Sequence, residues 1–368
     1  MLATGGSSSG VGTALSFWAA SVGTETSGSI MNPAAQTGLV AIKPTVGRVS
    51  RHGVIPITAD QDTPGPMTRS VRDAAILFGA IAGPDSKDPA TTRCAPPPGN
   101  DYTAFLDARA LRGARLGVPR AFYVDAIVPP GATVASGGLR DAQKARLAVA
   151  LDALRAAGAV VVDPADLPSV LDRDPLTNLV AFPICTIEPR GEDASCSTVF
   201  RYGMKRDFGT WLASLGASAP VKSLAELRAW NTAHAKLGTL RYGQTLLDAS
   251  DAIDLDADRT RYEADRARDL RLTRANGIDA ALAEHRLDAL VFAGAGASDV
   301  TARAGYPSVM VPFGLVELPA EPPYPAGFAA RSSPFAIRFT GRACDEPRLI
   351  ALAYAFEQAT KARVPPRP

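Results

Sequence analysis

A strand–helix–strand unit in the middle of the chain constrains the fold most. Leu116-Gly117-Val118 reads as a short buried strand. A helix is predicted from about Arg140 to Ala157, closed by Gly158, and Ala159-Val160-Val161-Val162 reads as the next strand. Two strands joined through a helix pair in parallel within one sheet, with the helix lying on the sheet's face. The expected class is therefore α/β. Further strands are predicted at Gly38-Leu39-Val40-Ala41-Ile42, stopped by Pro44, at Leu290-Val291-Phe292 and at Ser308-Val309-Met310-Val311. Ser70 and Asp73 form a capping signature, and Val71, Ala74, Ala75, Phe78 and Ile81 repeat behind it at helical spacing until Gly83-Pro84. Pro347 opens a terminal helix with Ile350, Ala353 and Phe356 on its inner face.

Between these elements, 84–112 carries Pro96-Pro97-Pro98-Gly99-Asn100 and reads as an exposed connection. The stretch 165–275 reads as mostly helical, with a second capping signature at Ser223 and Glu226, and is expected to form a helical cap insertion. Residues 1–83 read as one compact, motif-dense unit, and the chain as a single domain over 1–368. The 368 residues suffice for a large buried core. With 39 Lys+Arg against 37 Asp+Glu, the net charge of +2 gives no reason to expect a nucleic-acid partner. No uncharged apolar run is long enough for a membrane helix, so no membrane partner is expected. Cys94, Cys185, Cys196 and Cys344 form no C-x-x-C pair; the expectation is free buried thiols in a reduced, cytoplasmic chain, although Cys185 and Cys196 could pair.

The chemistry concentrates near the start. Gly5-Gly6-Ser7-Ser8-Ser9-Gly10, taken alone, admits three readings. It has the composition of a flexible linker. It also satisfies G-x-S-x-G, the nucleophile elbow of α/β-hydrolases, but too few residues precede it to supply the strand an elbow needs. It has the glycine spacing of a phosphate loop as well, yet Val11 stands where a lysine must reach the phosphates.

The residues that follow decide among them. Gly23-Thr24-Glu25-Thr26-Ser27-Gly28-Ser29-Ile30, Pro33-Ala34, Ile42-Lys43-Pro44-Thr45, Gly47-Arg48-Val49-Ser50 and Asp62-Thr63-Pro64-Gly65-Pro66-Met67 come in order after the cluster. Together they resemble the amidase signature family, with weaker similarity reaching Gly305-Tyr306-Pro307 and Glu346-Pro347, and in appearance the chain is nearest to the family's bacterial peptide amidases. The resemblance implies a mixed central β-sheet covered by helices, and hydrolysis of a carboxamide C–N bond through an acyl-serine intermediate. Ser29 matches the nucleophile and Ser7 the bridging serine, which carries a cis peptide bond in the family. The backbone of Thr26, Ser27 and Gly28 matches the oxyanion hole, and Ser8 a supporting serine.

Glycines 5, 6 and 10 suit the crowding around a cis bond, which costs roughly 3–4 kcal/mol outside proline. The implied substrate is a small-molecule or peptide amide, with neither metal nor organic cofactor. The third member of the family's triad is a lysine upstream of the bridging serine, and only six residues precede Ser7. The segment that carries this lysine is therefore expected to be missing from the chain, and a catalytically impaired remnant is one alternative. Another is the A subunit of a tRNA-dependent amidotransferase, which acts on glutamine.

Lys43 belongs to a motif whose match is structural, and it is not expected to replace the missing base. His52 is expected at the surface or behind the site. His234 and His285 lie on predicted helices without paired ligand spacing. Asp62, before a Pro-Gly-Pro turn, is expected to order its loop. Ala293-Gly294-Ala295-Gly296-Ala297-Ser298 follows a predicted strand and is either a plain turn or part of a substrate pocket.

Overall fold

Alternation along the strands sets the layering. The structure, a computed structural model, describes residues 6–318 and 332–366. In β7 (Ser308–Glu317), Val309 and Val311 enter one apolar cluster while Met310 enters another. In β6 (Ala289–Ala293), Ala289 and Val291 face the first cluster and Leu290 and Phe292 the opposite side. Successive strand side chains point to opposite faces, so both faces of this sheet are buried and helices must cover each. On one face lie α3 (Val71–Ile81), α4 (Asp141–Ala156) and α12 (Glu346–Thr360), which contribute Phe78, Leu147, Leu151 and Phe356 to the cluster around Val309, Ile337 and Phe339. On the other lie α2 (Met31–Thr37), α11 (Ser298–Ala304) and α10 (Asp279–Glu284).

The sheet has eight strands in the order β1-β3-β2-β7-β8-β6-β4-β5. The remaining strands are β1 (Ser21–Glu25), β2 (Val40–Lys43), β3 (Thr63–Thr68), β4 (Arg115–Gly117), β5 (Val160–Val162) and β8 (Ser332–Thr340). β4 pairs in parallel with β5 and β6, as the strand–helix–strand pattern requires, and the other ladders are antiparallel. The sheet is therefore mixed. The capping signatures hold: Ser70 Oγ accepts from the Asp73 amide at 3.1 Å, and Ser223 Oγ from that of Glu226 at 3.1 Å.

Three expectations need correction. Pro64-Gly65-Pro66 is not a turn but the centre of β3, a strand buried at all six positions. The ladder between β2 and β3 involves only Met67 and Thr68, so the two prolines lack a donor only beyond it, while β1 lies opposite them through Thr24 and Val22. Gly65 is needed because a Cβ there would come within 2.2 Å of the Ile42 carbonyl oxygen. Secondly, Val11, Ala14, Leu15 and Trp18 recur at helical spacing and predict a helix through Trp18, but it ends early: α1 spans Gly10–Ala14 and Ser16 takes a positive φ of 64°. The Trp18 ring then folds back over Gly12, with its indole N–H on Thr13 Oγ1 at 2.9 Å.

The third correction concerns the cysteines, none of which is free: Cys94 pairs with Cys344 and Cys185 with Cys196. The first bridge joins residues 250 apart in sequence, which no local pattern could reveal.

The 165–275 region is helical, as expected. It contains α5 (Pro168–Leu171), α6 (Val199–Ser214), α7 (Leu224–Ala233), α8 (Thr245–Asp251) and α9 (Arg259–Leu270), the last running through a widened turn over 271–278 into α10. A small core of its own forms around Phe208, Leu212, Ala219 and Leu224.

Candidate active site

Strand β1 ends at Glu25, and the chain then turns through Thr26, Ser27, Gly28 and Ser29 into α2. The turn needs glycine at 28, where φ is +85° and a Cβ would crowd Ser298 at 3.2 Å. It leaves the backbone N–H groups of Ser27, Gly28 and Ser29 without acceptors among the described residues. Glu25 sets the far side of the turn. Its buried Oε2 accepts from the amides of Ile30 at 2.8 Å and Met31 at 2.9 Å, the two residues after Ser29. A carboxylate at a helix start satisfies orphan N–H groups and favours the dipole.

The Gly6–Gly10 segment lies against this turn. The Ser7 amide donates to the Ser29 carbonyl at 2.8 Å, and a Cβ on Gly6 would fall 2.5 Å from Ser29 Cα. The two serines named from the sequence are thus neighbours through the backbone. The Ser7 hydroxyl points elsewhere: it donates to the Thr24 carbonyl at 3.1 Å and accepts from the Thr24 amide at 3.0 Å. Ser29 Oγ has no hydrogen-bond partner among the described residues. Ser8 is exposed. Gly5 lies outside the described residues.

The cis bond expected at Ser7 is not found; among the described residues the cis peptide is Asp163–Pro164. A non-proline cis bond persists only where packing over-determines it, and Ser7 is half-exposed between an exposed Gly6 and an exposed Ser8.

Two further groups hold the turn from its flanks. Thr26 Oγ1 donates to Asp62 Oδ1, while Asp62 Oδ2 accepts from the amides of Ile57 at 2.8 Å and Thr58 at 2.9 Å. Burial pushes the Asp62 carboxyl up to about 6, against the pull of those three hydrogen bonds. Gln61 Nε2 donates to the Thr26 carbonyl at 3.3 Å. Asp62 therefore orders the loop before it rather than a Pro-Gly-Pro turn after it, and the same loop reaches the helical region. Asp60 Oδ2 accepts from Tyr262 Oη at 2.8 Å and from Arg206 at 3.2 Å, and the Ala59 amide donates to Asp207 at 2.7 Å.

On the other flank, Arg338 of β8 is fully buried and donates to Ser298 Oγ at 3.2 Å and to Thr301 Oγ1. Burial lowers its pKa to about 10, with Glu25 the carboxylate opposing that shift. The 293–298 segment is the turn between β6 and α11, and it packs Ser298 beside Gly28. Lys43 is buried on β2, where desolvation lowers its pKa to about 8; its Nζ donates to the carbonyls of Tyr306 at 2.9 Å and Pro44 at 3.3 Å. Its role is to tie strands together.

The histidines are scattered. His52 is exposed, His234 stacks on Trp230 and contacts its carbonyl at 2.8 Å, and His285 ends α10. Sequence reasoning missed Arg338, Gln61 and the clamp made by Glu25. Glu25 sits inside the motif and could have been found there, whereas Arg338 has no local signal.

The chain matches the Amidase family over residues 2–350. It belongs to that family. A solved structure of native peptide amidase from Stenotrophomonas maltophilia superposes with a TM-score of 0.77 at 38% identity, covering 98% of this chain and 66% of that one. A probable amidase of Arabidopsis thaliana is 32% identical over 98% of this chain and 61% of its own length. The A subunit of the Nitratidesulfovibrio vulgaris glutamyl-tRNA(Gln) amidotransferase is 44% identical, but over only 44% of this chain and 30% of the subunit. The fold is that of the amidase signature enzymes, and the chain spans between three-fifths and two-thirds of the length of the first two relatives.

Proposed function

We propose that this chain carries the nucleophile of an amidase that hydrolyses a carboxamide C–N bond in a small-molecule or peptide substrate. Ser29 Oγ attacks the amide carbonyl, the C–N bond breaks with departure of ammonia or an amine, and water then cleaves the acyl-Ser29 ester. Ser7 relays the proton to an amine base, and Ser8 supports that relay. The N–H groups of Thr26, Ser27 and Gly28 stabilise the oxyanion, an effect worth about 3–4 kcal/mol per donor in acyl-transfer sites.

The observation that carries this reading is the turn itself: consecutive amides without acceptors, a serine hydroxyl without a partner, and Ser7 joined to Ser29 through the backbone at 2.8 Å. The helices of 165–275 act as the cap on the substrate side, and the small residues of 293–298 leave room for the acyl group. The amidotransferase reading is disfavoured, because that similarity covers less than half the chain.

Ser29→Ala should abolish amide turnover, measured as ammonia release; undiminished release would sink the assignment. The attachment of the Ser7 hydroxyl to Thr24 favours a second reading for the 368 residues alone, a scaffold without turnover. On that reading ammonia release from the chain is negligible, and sustained amide turnover would refute it. As to compartment, among the described residues no helix is long and apolar enough to cross a membrane. The cytoplasmic placement expected from the sequence fits poorly with two disulfides, which favour an oxidising compartment.

A further inference from the structure

Away from Ser29, a cavity of about 300 Å³ opens between the start of α3 and the end of α12, lined by Arg69, Ser70, Val311, Glu357, Lys361 and Arg363 among others. Its charge is unbalanced. None of the three cations forms an ion pair among the described residues. The carboxylate in the lining, Glu357, is already engaged by the Val71 amide at 2.8 Å and by Gln358 at 3.2 Å. Arg363 uses Nε on the Gly38 carbonyl at 2.9 Å, but its Nη2 is buried and finds no acceptor among the described residues. A buried donor without a partner costs about 1–3 kcal/mol, more when the group is charged. Burial and the facing Arg69 both hold the Arg363 guanidinium below its ordinary pKa. Two like charges thus line one cavity, and one of them has a donor without an acceptor among the described residues.

We propose that this cavity binds a small oxyanion, a phosphate or a carboxylate, held between the guanidinium groups of Arg69 and Arg363. Guanidinium forks match the paired oxygens of such groups, and Lys361 adds charge without a fixed direction. The volume accommodates an oxyanion bearing a small organic substituent. The site's two arginines also hold the chain downstream of each serine segment. Arg69 Nη1 donates to the carbonyls of Thr13 at 3.0 Å and Trp18 at 2.9 Å, just after the Ser7 segment. Arg363 holds Gly38, which ends the helix that begins after Ser29. An anion bridging the two arginines braces the nucleophile helix against the Ser7 segment. That consequence rests on the amidase reading; anion binding does not, because heat and melting temperature report it without any turnover.

The test titrates the 368-residue chain with inorganic phosphate, and separately with acetate, against chloride at equal ionic strength, by calorimetry and thermal melting. The expected result is saturable binding of at least one of the two. A melting temperature raised by about 3–4 °C at a hundredfold excess over Kd should accompany it. Phosphate alone, or acetate alone, identifies which oxyanion the cavity accepts. Arg363→Gln and Arg69→Gln should each weaken binding at least tenfold, and Arg363→Lys should retain part of it. Melting in phosphate and acetate equal to that in chloride, with no calorimetric heat, overturns the proposal, as does binding undiminished in both glutamine variants. Should a variant fail to fold, the titration of the native chain still decides whether an anion binds, and the other variant decides where.

Discussion

Acidification should stabilise this protein through one carboxyl group. Asp62 is 6% exposed, and burial raises its pKa from 3.8 to about 6, with Asp207 adding to the rise. Between those two values the folded state holds a proton that the unfolded chain has released, so the folded state binds more protons and stability falls as pH rises. The interval of about 2.2 pH units, at about 1.36 kcal/mol each, makes the contribution about 3 kcal/mol. It is fully present below about pH 4 and lost by about pH 7.

Other groups titrate too, so the comparison is with Asp62→Asn, which keeps the shape and an acceptor oxygen but has no proton to exchange. Urea unfolding followed by tryptophan fluorescence, from about pH 4 to about pH 8, gives the stability of each protein. The native protein's advantage over Asp62→Asn should shrink by about 3 kcal/mol across that range. Parallel curves, or a native protein that gains on the variant towards neutral pH, would refute the burial argument. The measurement also bears on the site, because the carboxylate that titrates is the one that accepts from Thr26.

Other consequences can be measured with the same tools. Glu25→Ala should lose about 3 kcal/mol of stability by denaturant unfolding, since it orphans the amides of Ile30 and Met31, and Glu25→Gln should recover much of that through its amide oxygen. An alanine variant as stable as the native protein would contradict the clamp. Gly65→Ala should melt at a lower temperature by several degrees, because its Cβ would meet the Ile42 carbonyl at 2.2 Å, an overpacking cost of about 3 kcal/mol. Opening the bridge between residues 250 apart should cost about 5 kcal/mol, and opening the one spanning 11 about 3 kcal/mol, if chain entropy dominates. Thermal melts of Cys94→Ser and Cys185→Ser compare them, and equal shifts would argue against the entropic origin.

Helix α3 was legible to within a residue or two because its cap and its apolar face are encoded within one stretch of a dozen residues. The same holds for β4, α4 and β5, whose parallel pairing follows from connection handedness, and for α12 after its proline. The ordered motifs likewise placed Ser7 and Ser29 in one site, and the structure joins them by a backbone hydrogen bond.

Strand β3 was not legible: Pro-Gly-Pro is a turn signal by local chemistry, and only the ladder with β1, the short ladder with β2 and the close approach to Ile42 make it a strand. Arg338, from the far end of the chain, reaches Ser298 beside Gly28 because β8 lies between β7 and β6. The Cys94–Cys344 bridge and the facing arginines 69 and 363 depend in the same way on how α3, α12 and the sheet meet. What the sequence determined by itself was periodicity, capping and motif order, each carried by residues within a few positions of one another. Which hydroxyl points where, which cysteines meet and which charges lack partners depend on distances between remote segments, and only the packed sheet decides those.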